Sequence, residues 1–189
     1  MNIGVLSVWD SNGGEMGEAT ESNHREYAER HGYGCVTGLW PGYDFHWVKT
    51  LCCALNLRKF DWIFWIDTDA VFMNPNGRIE DLIDPRYDFL FCTDENGINA
   101  GTMLLRNCEW TGRFLQQCWN TRSTFGQHWN PEQTAMAHLL TKYPGYWMSY
   151  DSRRFNSNPY NVQPWDFVLH AGGWSNRDRL KLFRERQLI

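Results

Sequence analysis

No apolar run in the sequence approaches the length of a membrane-spanning helix, so no transmembrane segment is predicted. No Lys/Arg run longer than a pair occurs before the end of the chain, and the net charge is −4, which argues against a nucleic-acid partner. None of the six cysteines (Cys35, Cys52, Cys53, Cys92, Cys108, Cys118) makes a CxxC, and the neighbours Cys52 and Cys53 cannot easily pair with each other. With no signal peptide visible ahead of a first strand at residue 3, they read as reduced core thiols in a cytoplasmic protein. There is no internal repeat, low-complexity segment or linker. The 189 residues suit one domain with a proper core.

What is abundant is aromatic. Eleven Trp and eight Tyr are many for this length. Most are expected in the core, but an excess also suits a groove that stacks flat apolar faces such as sugar rings while indole and phenol groups donate hydrogen bonds.

The stretch Trp62-Ile63-Phe64-Trp65-Ile66-Asp67-Thr68-Asp69 organises the rest. Its apolar lead-in is hydrophobic on both faces, as in a strand buried on both sides of a parallel sheet. Ahead of it, 3–8 reads as a strand, 9–17 as a Gly/Asn/Asp loop and 18–31 as a helix with Tyr27 and Ala28 inward, stopped by Gly32. A strand at 35–40 ends at Pro41-Gly42, and a helix at 46–57 has Trp47, Leu51, Ala54 and Leu55 on one face. This β-α-β-α-β order predicts a parallel, doubly wound sheet. Further on come a short apolar segment at 70–73, a helical turn at 79–83, and strands at 89–92 and 102–105 lying side by side. Asn107 caps a helix to about 120. A helix follows over 131–142, then a strand at 146–150, a loop at 155–164, a strand at 167–170 and a basic amphipathic helix over 176–186.

On an extended chain Asp67 and Asp69 point the same way while Thr68 points away. Ligands bind beyond the carboxyl ends of such strands, and two carboxylates there make half of a site for a divalent cation. Turn and cap residues ending a strand are the plainer alternative. His170, at the end of a short apolar strand and before Gly172-Gly173, is the best third ligand of the six histidines. Mixed carboxylate and imidazole ligation favours Mn²⁺, with Mg²⁺ able to substitute. Open coordination positions suit phosphate oxygens, and a cation stabilises the charge of a departing diphosphate. Lys49 and Arg177 are candidates to add positive charge. The stretch 94–101, between two strands, is a loop able to hydrogen-bond hydroxyls. Pro131-Glu132-Gln133 reads equally well as an ordinary helix start.

In order along the chain, His46-Trp47-x-Lys49, WIFWIDTDAVFMNP, NAGTMLLRNCEW, PEQTAM and FVLHAGG resemble glycosyltransferase family 34, as does the segment 23–33. The resemblance covers nearly the whole chain. It implies a GT-A fold, Rossmann-like with a mixed, mainly parallel central sheet, in which 1–189 is a single catalytic domain. It also implies metal-dependent transfer of a sugar from a nucleotide-sugar donor to a glycan acceptor with retention of configuration. Carried over by position, Asp67 and Asp69 are the DxD motif and His170 the third metal ligand. Lys49 lies near the diphosphate, and Asn99, Ala100 and Gly101 line the donor-sugar pocket. Glu132 and Gln133 lie by the anomeric carbon, and Ser7, Val8 and Trp9 hold base and ribose. Thr68, Gly173 and Arg177 complete the donor set. Two positions depart from the family: Ser175 stands where a Lys is common, with Arg177 two further on, and Glu132 stands for the usual Asp. Asp94, Glu132 and Asp151 are the carboxylates weighed for a covalent intermediate, against front-side attack. Trp129, Tyr160 and Trp165 are candidate acceptor contacts.

Two other readings compete. IFWIDTDAV also fits the nucleophile motif of haloacid-dehalogenase-type phosphatases, with Asp67 phosphorylated and Asp69 as acid/base. That motif usually sits on the first strand, and neither a later acidic pair nor a place for His170 supports it. A non-catalytic nucleotide-sugar-binding module is the second. Base, sugar, acceptor and oligomeric state are not readable.

Overall fold

The computed structural model describes residues 1–42 and 44–189. The first half follows the expected alternation. Strand β1 (Ile3–Trp9) leads to α1 (Gly14–His31), β2 (Gly34–Leu39), α2 (Phe45–Asn56) and β3 (Trp62–Ile66). β1 lies between β2 and β3 and is parallel to both. All five residues of β3 are buried, as its unbroken apolar run requires.

Past β3 the sheet stops being parallel. Strands β5 (Phe89–Asp94), β6 (Gly97–Arg106) and β7 (Trp147–Asp151) extend it to the order β2-β1-β3-β6-β5-β7. β6 runs antiparallel to both β3 and β5, while β5 and β7 are parallel. The sheet is therefore mixed and mainly parallel. The expected loop at 94–101 is instead a tight hairpin with Glu95-Asn96 at its tip, between the paired Asp94 and Gly97. Gly97 supplies the positive φ (101°) such a turn needs, and Asp94 Oδ1 accepts the Asn96 N–H at 2.7 Å. The polar, Gly-containing stretch concealed six strand residues, Asp94 of β5 and 97–101 of β6. β4 (Ala70–Phe72) and β8 (Val168–His170) leave the main sheet and pair antiparallel, with Ala70 opposite His170.

Helices α3 (Glu109–Asn120), α4 (Arg122–Phe125), α5 (Pro131–Leu140) and α6 (Asn176–Glu185) complete the chain. Alternation along β3 sorts the core into two layers. Ile63 and Trp65 join Val48, Cys52 and Cys53 of α2, Phe114 of α3 and Met136 of α5. Phe64 and Ile66 join Tyr27 and Ala28 of α1 with Phe72, Phe155 and Phe167.

Three local expectations need correction. α1 starts at Gly14, not Glu18, because Gly17 serves a close approach and not a loop. A Cβ on Gly17 would lie 2.1 Å from the Trp9 indole, so only glycine lets the first turn cross that ring. α2 buries Trp47, as expected, together with Val48, Cys52 and Cys53; Leu51 is half-buried, and Ala54 and Leu55 are exposed. The cysteines act there as small hydrophobes. Cys108, not Asn107, caps α3, its Sγ accepting the Thr111 N–H, while the Asn107 N–H donates to the Asp61 carbonyl. All six cysteines are unpaired, and four are buried. Among the described residues no helix is long and apolar enough to cross a membrane.

His24 of α1 is fully buried. Its Nε2 donates to the Ala70 carbonyl at 2.8 Å, because a carbonyl only accepts, and among the described residues its Nδ1 has no partner. Protonation would place an unpaired N–H in the core, and burial pulls the pKa down from 6.5 to about 4. The neutral ring therefore stabilises the fold fully above pH 6.5, and that contribution drains as pH falls through the window down to about 4. The expected loss is roughly 3 kcal/mol. Urea unfolding at pH 7 and pH 4 measures it, and His24→Gln should flatten the dependence. Equal slopes for the two proteins would refute the assignment.

Candidate functional site

β3 ends where its register with β6 ends. The Asp67 N–H still donates to the Gly101 carbonyl (2.8 Å), then the Ala70 N–H donates back to Asp67 O (3.1 Å), so Asp67-Thr68-Asp69 forms a turn. Thr20 of α1 fixes it by donating to the Thr68 carbonyl at 3.0 Å. The Ala171 N–H donates to Asp69 O at 2.9 Å, which draws His170 to the turn. One ligand atom each from Asp67, Asp69 and His170 then lies within 4.8 Å of the others. A Cβ on Gly101 would sit 2.1 Å from Cε1 of His170, so the glycine is the cradle for the ring.

Both carboxylates are held from behind. Asp67 accepts from Trp65 Nε1 (2.6 Å) and Lys49 Nζ (3.0 Å). Asp69 pairs with Arg179 (2.7 Å) and His170 Nε2 (3.3 Å). Burial alone would raise the Asp69 carboxyl, but His170 and Arg179 outweigh it and hold it low. Burial works against the charged His170 ring, yet Asp69 raises its pKa. Asp67 is pushed up, by burial and by Asp69, against the pull of Lys49.

Lys49 is nearly buried and its three protons are all used: Asp67 Oδ2 at 3.0 Å, Glu132 Oε1 at 3.2 Å and the Ala100 carbonyl at 3.2 Å. Glu132 also faces His46 Nδ1 at 3.3 Å. Burial would raise the Glu132 carboxyl, and Lys49, followed by His46, holds it down at about 2. Gln133, one residue on, accepts the Ala100 N–H at 2.9 Å. Asn99 bridges Asp94, to which it donates (2.7 Å), and the Gly101 N–H, from which it accepts (2.9 Å).

These side chains surround a cavity of 570 Å³, within the size range of small-molecule sites. Val8, Trp9, Lys49, Thr68, Asn99, Gly101, Glu132, Gln133 and Gly173 line it together with Asp67, Asp69 and His170. Ser7 and Ala100 do not; both are fully buried, and Ala100 contributes only backbone to Lys49 and Gln133. Arg177 is exposed and outside the lining, while Arg179, two residues on, lines the cavity. The helix turns Arg177 outward, whereas Arg179 donates from Nε to the Ala171 carbonyl at 3.0 Å. Asp94 reaches the cavity and Asp151 does not. Trp129 and Tyr160 line it, whereas Trp165 lies on a separate groove.

Two carboxylates and an imidazole, converging on one spot with their outer atoms already hydrogen-bonded, fit a divalent cation. The Gly101 cradle is the structural observation that makes the third ligand fit.

The sequence matches the model of the galactosyl transferase GMA12/MNN10 family over residues 7–87 and 84–177. The chain belongs to this family of glycosyltransferases. It is 24% identical over 205 residues to the alpha-1,2-galactosyltransferase of Schizosaccharomyces pombe, covering 80% of this chain and 54% of that protein. It is also 24% identical over 137 residues to the probable alpha-1,6-mannosyltransferase MNN10 of Saccharomyces cerevisiae, covering 52% and 35%. The chain spans about half the length of the curated relatives it matches. A solved glycosyltransferase involved in glycosylation of the major capsid of PBCV-1 superposes with a TM-score of 0.84 at 17% identity, over 98% of this chain and 100% of that one. The galactosyltransferase LgtC, solved with donor and acceptor sugar analogues, gives 0.59 at 12% identity over 97% and 94%. These likenesses show the fold, which is GT-A. The family match displaces the phosphohydrolase reading of the Asp67 stretch.

In this GMA12/MNN10-family chain, several cavity residues escaped the sequence reading. Asp10, Asn12 and Gly13 line it from the turn before α1, where Asp10 Oδ1 accepts the Asn12 and Gly13 N–H groups at 3.0 Å each. An Asp-x-Asn-Gly run is a turn signal, and it went unused because the whole of 9–17 was read as loop. Asn156 also lines the cavity, buried, with neither amide atom partnered among the described residues.

Proposed function

We propose that the protein transfers a sugar from a nucleotide-diphosphate sugar to a glycan hydroxyl, with retention of configuration. A UDP-sugar is favoured and a GDP-sugar is the second choice. The observation that carries this is the convergence of Asp67, Asp69 and His170 in the cavity of a GT-A fold. A divalent cation there, Mn²⁺ in preference to Mg²⁺, supplies positive charge to a diphosphate as it leaves. Asp67, Asp69 and His170 would hold it, and Arg179, Trp65 and Lys49 keep the two carboxylates in place. Lys49 acts as a positioning residue and not as a diphosphate ligand, because its three protons are committed.

The carboxylates also favour front-side attack over a covalent intermediate. Glu132 is clamped by Lys49 and His46, Asp94 is tied to Asn99, and Asp151 is outside the cavity. In front-side attack the anomeric carbon–oxygen bond to the diphosphate breaks, the acceptor oxygen bonds to the same face, and its proton passes to the departing diphosphate oxygen. Gln133, fixed by the Ala100 N–H, then steadies the positive charge at the anomeric centre. Gln133→Ala is expected to lower transfer by roughly 10²-fold with the nucleotide affinity kept. Full transfer activity in that variant would remove Gln133 from the mechanism. The six unpaired cysteines support a reducing, cytoplasmic setting.

A thermal-shift series with nucleoside diphosphates and nucleotide sugars, with and without Mn²⁺, tests the reading as a whole. Stabilisation that requires nucleotide and Mn²⁺ together is the expected result, and the preferred base is the one giving the largest shift. No shift with any nucleotide would defeat it.

A further inference from the structure

Two exposed aromatic residues on separate segments reach the cavity, and neither belongs to the cluster of Asp67, Asp69 and His170. Trp129 precedes α5 and Tyr160 follows β7; both line the cavity, at 73% and 85% exposure. A large ring left this bare forgoes burial that nearly every other Trp here obtains. Tyr160 is also held in place. Trp174 meets its ring edge-on, with centroids 5.8 Å apart at 62°, and Asn158 Oδ1 accepts the Tyr160 N–H at 2.9 Å. Rings kept at the edge of a site present flat apolar faces to whatever enters.

Charge narrows what that is. Among the described lining residues Lys49 and Arg179 are the Lys/Arg cations, and each is paired with a carboxylate inside the site. The β5–β6 turn adds Asp94 and the exposed Glu95 to the same cavity. Beyond the diphosphate, whose charge the cation would meet, an incoming anionic group would face these carboxylates with no unpaired Lys or Arg among the described lining residues to receive it.

We propose that Trp129 and Tyr160 are the acceptor platform and that it takes an uncharged saccharide, stacked by its ring faces on the two side chains. This rests on the sugar-transfer reading of the adjoining site. Trp165, the third exposed aromatic of this region at 68%, belongs to another groove, beside Arg153 and Asp166, and is no part of the platform.

The test needs no turnover. Saturation-transfer NMR measures binding of neutral manno-, galacto- and gluco-oligosaccharides, and of a uronic-acid oligomer of the same length, to protein loaded with a nucleoside diphosphate and Mg²⁺, which is diamagnetic. At least one neutral oligosaccharide should bind more tightly than the uronic-acid oligomer. Trp129→Ala and Tyr160→Ala should each weaken it about five- to tenfold, while Trp165→Ala binds as wild type does. Both side chains are exposed, so folding is not at stake. A normal nucleotide thermal shift, with saccharide binding indifferent to both substitutions or equal for the uronic-acid oligomer, overturns the platform alone. Absence of the nucleotide shift overturns the transfer reading and the platform with it.

Discussion

Asp69→Asn is expected to lower sugar transfer by roughly 10³-fold or more and to erase the Mn²⁺-dependent part of the nucleotide thermal shift. Asn keeps the side chain's shape, so Arg179 and His170 keep a neighbour at hydrogen-bond range. What disappears is the negative charge beside Asp67 and His170, one of the three convergent ligand groups. A fold disturbance would appear as a lower Tm without any ligand, whereas loss of the cation site appears only in the ligand-induced increment. Retention of more than a tenth of wild-type transfer, or an unchanged Mn²⁺ increment, would place the cation elsewhere.

Lys49→Met should be the most destabilising single substitution in the site. Met preserves the length of the stem but leaves Glu132 buried and Asp67 partly buried without their shared cation. Removing one partner of a buried pair costs about 3–5 kcal/mol, because the remaining charge is uncompensated. For a chain of this size that is a fall of roughly 10 °C in Tm. The paired variant Lys49→Met/Glu132→Gln should recover a good part of the loss, since it removes one of the stranded charges. Chemical denaturation of the two single variants and the double variant gives the coupling directly. A loss below about 1 kcal/mol for Lys49→Met would show that the ammonium is not the keystone of this cluster.

The parts of the site that were legible in the sequence are those whose chemistry is local or whose spacing is stereotyped. Asp67 and Asp69 follow an unmistakable buried strand, and His170 precedes two glycines at the end of another. The parts that were not legible depend on direction in space. Arg177 and Arg179 are indistinguishable as letters two apart on a helix; only the helix's rotation decides which one meets Asp69. Glu132 read as a helix-start acid, and nothing in the local sequence reports that Lys49, on another helix, ends 3.2 Å away. The same limit applied to the fold. β1 to β3 followed from short apolar runs separated by helical segments, whereas the antiparallel β6 was half hidden because Gly97 to Gly101 carries the composition of a turn. On α2 Trp47 was placed inward correctly, but Ala54 and Leu55 were not, because Lys49 and the cysteines were not counted as inward residues.

The small β4–β8 ladder has a consequence for how the protein acquires its activity. Asp69 and His170 are about a hundred residues apart in the chain, and that ladder is where the loop between them closes. Contacts of such long range form late, after the local hairpins and helices. On the proposed reading, a partly refolded chain that has completed β1 to β3 still lacks His170 beside Asp67 and Asp69, and it is expected to bind neither cation nor nucleotide. Recovery of nucleotide binding during refolding should accordingly trail recovery of secondary structure.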